Sequence, residues 1–292
     1  MTLAIFGVVF YHLALRGIPI GRLNIGYMGV DVFMLLSGYG IGKSLSHNSI
    51  SKFYENRIRR ILPIWVLMIF FSSLISVSGG VNKLYLTDLM FNLTTLSFYF
   101  NPDLLPEWYL ATLILFYALS PLLFKLEKVI GWYGVVLAAI AVVGISEFSG
   151  LVNTWQYANA ICRFPLYLLG IQCAISNKDN LSYYVTVPCF AIGCYFFFCG
   201  AHYLFSSCCV LLSIQVANLL IDRLGLDRAF LVKKVGRHTL EIYAANVLSA
   251  VFIESCLKIQ SSVFAVICVD LLLTLLFTIA LWKLNKLISL RI

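Results

Sequence analysis

Ten apolar runs separated by short connections constrain this chain more than any other feature. They fall at about 2–15, 26–45, 61–78, 106–124, 129–146, 160–175, 182–200, 203–221, 236–256 and 262–288. A membrane-spanning helix needs about 20 apolar residues, so ten of them use about 200 positions and leave no room for a large soluble domain. Composition agrees. The chain is 61% hydrophobic and only 12% charged, about half the charge of a soluble domain, and its mean hydropathy is +0.92. The expected fold is all-α: a polytopic integral membrane bundle of about ten transmembrane helices, in a single transmembrane domain spanning residues 1–292. A receptor with a folded ectodomain is excluded.

Ten crossings put both ends of the chain on one side. Sixteen Lys and Arg, from Lys43 through the 52–60 segment to Arg291, fall in one set of alternate connections, and only Arg16, Arg22, Lys83 and Lys258 fall in the other. Such an asymmetry marks the cytoplasmic side, so both termini are expected in the cytoplasm of a cell whose inner (plasma) membrane holds the chain. Membrane lipids are then obligatory partners. The net charge of +8 reads as topology, and no nucleic-acid partner is expected. Leu84 to Phe100 carries Thr87, Asp88 and Asn92 and reads as an interfacial or re-entrant segment over an outward-facing cavity. The nine Cys lie in or beside apolar stretches with neither a disulfide framework nor zinc-ligand spacing. They are expected to be small buried hydrophobes, and no metal is expected. The first residues lack the basic start and cleavage site of a signal peptide.

Ionisable groups inside a bilayer are costly, so each one is a candidate site. His12 lies one turn before Arg16, roughly 6 Å below the outer end of the first helix. It is either a hydrogen-bonded packing residue or a base. Asp31 stands at a comparable depth in the second run, where a carboxylate near an imidazole would fix its tautomer and raise its basicity. Gly38 and Gly42, on the face of Asp31, make a seam that allows close helix approach. On the inner side, Arg57 and Arg60 are three residues apart and share a helical face, with Arg59 turned aside. Two guanidiniums suit a phosphate or pyrophosphate, and equally a stop-transfer anchor. Weaker candidates are Glu107 and Trp108 at the outer end of the fourth run, and Arg163, which can snorkel outward from the sixth. Glu241 complements the helix dipole in the ninth, and Asp270 lies in the tenth.

Three segments in order carry more information than any one residue: Phe10-Tyr11-His12-Leu13, then Gly29-Val30-Asp31-Val32-Phe33-Met34-Leu35-Leu36-Ser37-Gly38-Tyr39, then Phe53-Tyr54 followed by Arg57, Arg60-Ile61 and Pro63. Together with Trp108-Tyr109-Leu110, Arg163-Phe164-Pro165 and Gly236-Arg237-His238-Thr239-Leu240-Glu241-Ile242-Tyr243, they resemble the membrane-bound acyltransferase type 3 family over nearly the whole chain. That resemblance implies an enzyme that transfers an acyl group, most often acetyl, from cytoplasmic acyl-CoA (acetyl-CoA). The acceptor would be a hydroxyl of a cell-surface polysaccharide or lipid-linked glycan. His12 matches the catalytic His, and Arg57 and Arg60 match the arginines that handle CoA, with Ser37 assigned to the same cofactor side. Trp108, Arg163 and Glu241 become candidates for substrate binding, and a homodimer is compatible with the resemblance.

The expected mechanism has His12 as general base on the acceptor hydroxyl and Asp31 holding the imidazole. Two features depart from the family. Met1 stands where the family usually has Arg or Lys, and the first run has only about 13 residues, or about 20 Å, against a core of about 30 Å; both predict a start set too late or a chain truncated at its N-terminus. Asn246 stands where many relatives have His, so no base is assigned there. A glycan carrier or flippase is the competing class, with the glycine-rich second run lining a path, although no pair of interrupted helices marks such a carrier. A non-catalytic scaffold is the third.

Overall fold

A computed structural model of the chain describes residues 1–15, 25–80, 86–100, 108–148, 159–178, 183–200, 202–225, 230–257 and 263–289. Among them are thirteen α-helices: α1 (Thr2–Leu15), α2 (Met28–His47), α3 (Ile50–Ser78), α4 (Leu86–Leu93), α5 (Leu96–Phe100), α6 (Trp108–Ile130), α7 (Trp132–Phe148), α8 (Phe164–Ile175), α9 (Tyr183–Phe198), α10 (His202–Leu224), α11 (Phe230–Arg237), α12 (Thr239–Phe252) and α13 (Val263–Ser289). No strand occurs among the described residues. Each of the ten apolar runs is helical. Five stretches are long and apolar enough to cross a membrane: α3, α6, most of α10, α12 with the π-turn after it, and α13. Shorter apolar helices include α1, α7, α8 with the turn before it, and α9. Exposed Phe264, Leu272 and Leu275 on α13, and Val136, Leu137 and Ile140 on α7, give these helices the outward apolar faces that lipid accepts.

The boundaries differ from expectation where charge or a single residue decides them. The third run was expected from residue 61, but α3 begins at Ile50, because the basic segment before it contains no helix breaker. Pro63 lies inside that helix and removes the bond to the Arg59 carbonyl. Gly131, at φ +66, supplies the left-handed residue that separates α6 from α7. The described part of the 84–100 segment, residues 86–100, folds as α4 and α5, about 12 and 8 Å long, neither of which can span. Trp65 Nε1 donates to the Leu93 carbonyl at 3.1 Å and satisfies one of the orphan carbonyls at the end of α4. All nine Cys are free, and two correct the reading of them as buried: Cys199 and Cys268 are exposed. The outer basic residues Arg16, Arg22, Lys83 and Lys258, and with them Glu107, Arg228 and Arg291, lie outside the described residues.

The chain forms two compact units. The first comprises Met1–Gly26, Glu55–Glu107 and Phe230–Ile292. In it α1 runs along α11 and α12 in the same direction: Thr2 Oγ1 donates to the Val232 carbonyl at 2.7 Å, and ten residues later His12 reaches Asn246. α12 and α13 are antiparallel, with Ser249 opposite Asp270 and Glu241 opposite Asn285. Gly26 lies against the Gly7 carbonyl and Tyr11 so closely that a Cβ has no space there.

The second unit comprises Tyr27–Tyr54 and Trp108–Ala229. Here α2, α8 and α10 are parallel. Asp31 faces Arg163 and Ser206, Gly38 faces Tyr167 and Gly170, and Gly42 faces Ala174. A Cβ on Gly38 would stand on the Tyr167 carbonyl, and one on Gly170 on the Leu35 carbonyl. The glycine seam is therefore a backbone-to-backbone crossing. Beside it Leu35, Leu166, Leu169, Cys173, Val210 and Leu211 form an apolar core.

Candidate functional site

In the first unit, α12 and α13 extend a chain of polar side chains from His12. Its ring is half-buried near the end of α1, with Nδ1 2.5 Å from Asn246 Oδ1. Asn246 is fully buried on α12, and its Nδ2 donates to Thr274 Oγ1 on α13 at 3.2 Å. One turn along, Ser249 Oγ donates to Asp270 Oδ1 at 2.5 Å. Asn246 and Ser249 are three apart, and Asp270 and Thr274 four apart, so each pair shares one helical face and the two faces meet as a polar ladder.

The amide orientation matters chemically. A carbonyl oxygen only accepts, so Nδ1 facing Oδ1 must carry the ring hydrogen. The basic lone pair of the neutral imidazole is then on Nε2. Sequence reasoning set Asn246 aside because it is not a His. The usable signal was its helical spacing to Ser249, which puts two hydrogen-bonding groups on the same inward face.

In the second unit, three further candidates come together. Asp31 is fully buried, and its Oδ1 lies 3.0 Å from Arg163 Nε, a contact of charges rather than an aligned hydrogen bond. Ser206 donates to Asp31 Oδ2. Arg163 Nη1 donates to the Asn159 carbonyl at 3.1 Å and to its Oδ1 at 3.0 Å, and the guanidinium lies 4.5 Å from the centre of the Trp108 ring. Arg163 does not snorkel as expected: only 1% of it is exposed, because Asp31 removes the reason to seek water. Asp31, expected to orient the imidazole, has its oxygens engaged by Arg163 and Ser206 within its own unit.

The other candidates are separate. Arg57 is half-buried and Arg60 exposed on α3, three positions apart. Arg59 is paired with Glu55 at 3.0 Å one turn earlier and so turns from that face. Ser37 is half-buried on α2. Glu241, in the first turn of α12, has His238 Nδ1 at 3.8 Å and accepts from Asn285 Nδ2 at 3.3 Å. No group of three or more metal-ligating side chains occurs among the described residues.

No curated protein and no solved structure matches the chain. A sequence model of the acyltransferase 3 family, described as an acyltransferase domain, matches residues 2–283. With a match of that extent over an all-helical, membrane-type chain, the protein is a membrane acyltransferase and belongs to the acyltransferase 3 family.

Proposed function

We propose that the chain transfers an acyl group, with acetyl the first choice, from cytoplasmic acyl-CoA to a hydroxyl of a cell-surface or lipid-linked glycan. The observation that carries this reading is the contact between His12 Nδ1 and Asn246 Oδ1, which puts the ring hydrogen on Nδ1 and the basic lone pair on Nε2. Nε2 takes the proton of the acceptor hydroxyl, and the oxygen attacks the thioester carbonyl. The tetrahedral adduct collapses, the carbon–sulfur bond breaks, and the departing CoA thiolate regains the proton from the imidazolium. In this reading the orienting role first given to Asp31 passes to Asn246. Arg57 and Arg60 hold the CoA phosphates. Trp108 is the acceptor-side platform, and Arg163 acts through its ring.

Ten crossings with both termini cytoplasmic remain the preferred topology. α2 and α8 are parallel, as are α1 and α12, and each pair needs an even number of crossings from one member to the other, as an alternating ten-span chain provides. The plasma membrane is the proposed location. Mass spectrometry of surface glycans from cells with and without the gene tests the function. Loss of an acyl mass from one glycan is the expected result. Loss of glycan export with acylation intact would overturn the reading in favour of a carrier, and no change would favour a scaffold.

A further inference from the structure

We propose that the second unit binds an anionic phospholipid as a resident ligand, with one acyl chain held in a cavity between α2, α8, α9 and α10 and the phosphate at Lys178. The cavity measures about 220 Å³, less than the roughly 300 Å³ of the smallest pockets that enclose a drug-sized ligand. It therefore suits part of an acyl chain and is too small to enclose a nucleotide.

Its polarity changes steadily along parallel helices. On α10 the lining runs Leu211, Ile214, Gln215, Asn218, one face of a helix passing from apolar to amide over about 10 Å. On α2 it runs from Leu35 to Tyr39, and along α8 from Gly170 and Cys173 to Lys178. The apolar end lies toward the Asp31 cluster and the polar end toward the basic helix termini. That gradient is the profile of a lipid lying with its tail inward and its head at the membrane surface.

The mouth is cationic and held in place. α8 ends in a Schellman motif: Asn177 is left-handed at φ +51, Asn177 N–H donates to the Ala174 carbonyl, and Lys178 N–H donates to that of Cys173. This motif fixes where Lys178 leaves the helix. Lys43 donates to Asn177 Oδ1 at 2.8 Å and adds a second positive charge beside it. No carboxylate occurs among the lining residues. Basic pockets between membrane helices on the cytoplasmic side suit anionic headgroups; the assignment to that leaflet rests on the proposed topology, whereas the lipid preference does not.

Native mass spectrometry of the purified full-length chain tests this, with phosphatidylglycerol and phosphatidylcholine of matched chains as probes and neither acyl-CoA nor acceptor present. The result is thus independent of whether acyl transfer is the function. Phosphatidylglycerol should be retained one per chain in preference to phosphatidylcholine. Lys178→Gln should weaken its retention about fivefold with phosphatidylcholine unchanged, and Ile214→Trp, which fills the cavity, should weaken both. Equal retention of the two lipids, or no effect of Lys178→Gln, would overturn the proposal. So would glycerol phosphate competing as well as the lipid, which would mean an anion site alone, or palmitoyl-CoA displacing the lipid more tightly than phosphatidylglycerol itself, which would assign the cavity to the donor chain. If Ile214→Trp does not fold, Lys178→Gln decides.

Discussion

The two buried polar clusters solve the same problem in opposite ways. Around Asp31 and Arg163, opposite charges lie 3.0 Å apart, and a hydroxyl, an amide and an aromatic face surround them. Around His12 the partners are neutral, an amide and then a second hydroxyl, and the amide oxygen sets the tautomer of the ring. In the proposed reading the ionic pair chiefly holds α2 to α8, and the neutral cluster at His12 carries the proton transfer.

His12→Ala should show the largest effect. Transfer in a single-turnover assay should fall by about 10²- to 10⁴-fold, the usual contribution of a positioned base, with the helical content unchanged. Full transfer in that variant would remove the assignment of chemistry to the neutral cluster. Arg163→Met should act on stability instead, costing about 3–5 kcal/mol, because it leaves Asp31 buried and unpaired. Combining it with Asp31→Leu should recover most of that loss, as read by thermal unfolding in detergent. If the double variant recovers its stability but transfers no acyl group, the ionic cluster has a chemical part as well.

Arg57→Ala with Arg60→Ala should raise the apparent KM for acyl-CoA about 100-fold, from the loss of charge-assisted hydrogen bonds, with a smaller change in kcat. An unchanged KM would return the pair to its role as an anchor. The smallest effect is expected from Asn246→Leu, which should lower kcat about tenfold by removing one orienting hydrogen bond. Asn246→Asp keeps an acceptor at Oδ1 and should retain more activity than Asn246→Leu. Equal rates in the two would show that Asn246 fills space and does not orient the ring.

The membrane helices were legible because hydropathy is a local property. Ten runs were expected, and all ten are helical. Boundaries were less so, since α3 gains eleven residues through the charged segment around Arg57, whose polarity lowers the hydropathy without breaking the helix. The short basic helix α11 was hidden for the same reason. Pairings were the least legible. His12 meets Asn246 across most of the chain, and which residue of α12 stands opposite it depends on how far α1 is shifted along its neighbour. Arg163 illustrates the other limit: near a helix end it reads as a snorkelling cation, and only its position beside Asp31 on a parallel helix turns it into the buried half of an ion pair. The glycine seam could be anticipated because close packing leaves a direct mark in residue size.

At that seam the backbones of α2 and α8 touch with no side chain between them to compress or rotate. The two helices act mechanically as one beam. Asp31 and Arg163, anchored about two turns from the crossing, should therefore keep their spacing when the bilayer thins or thickens, while helices joined only through long apolar side chains absorb the change.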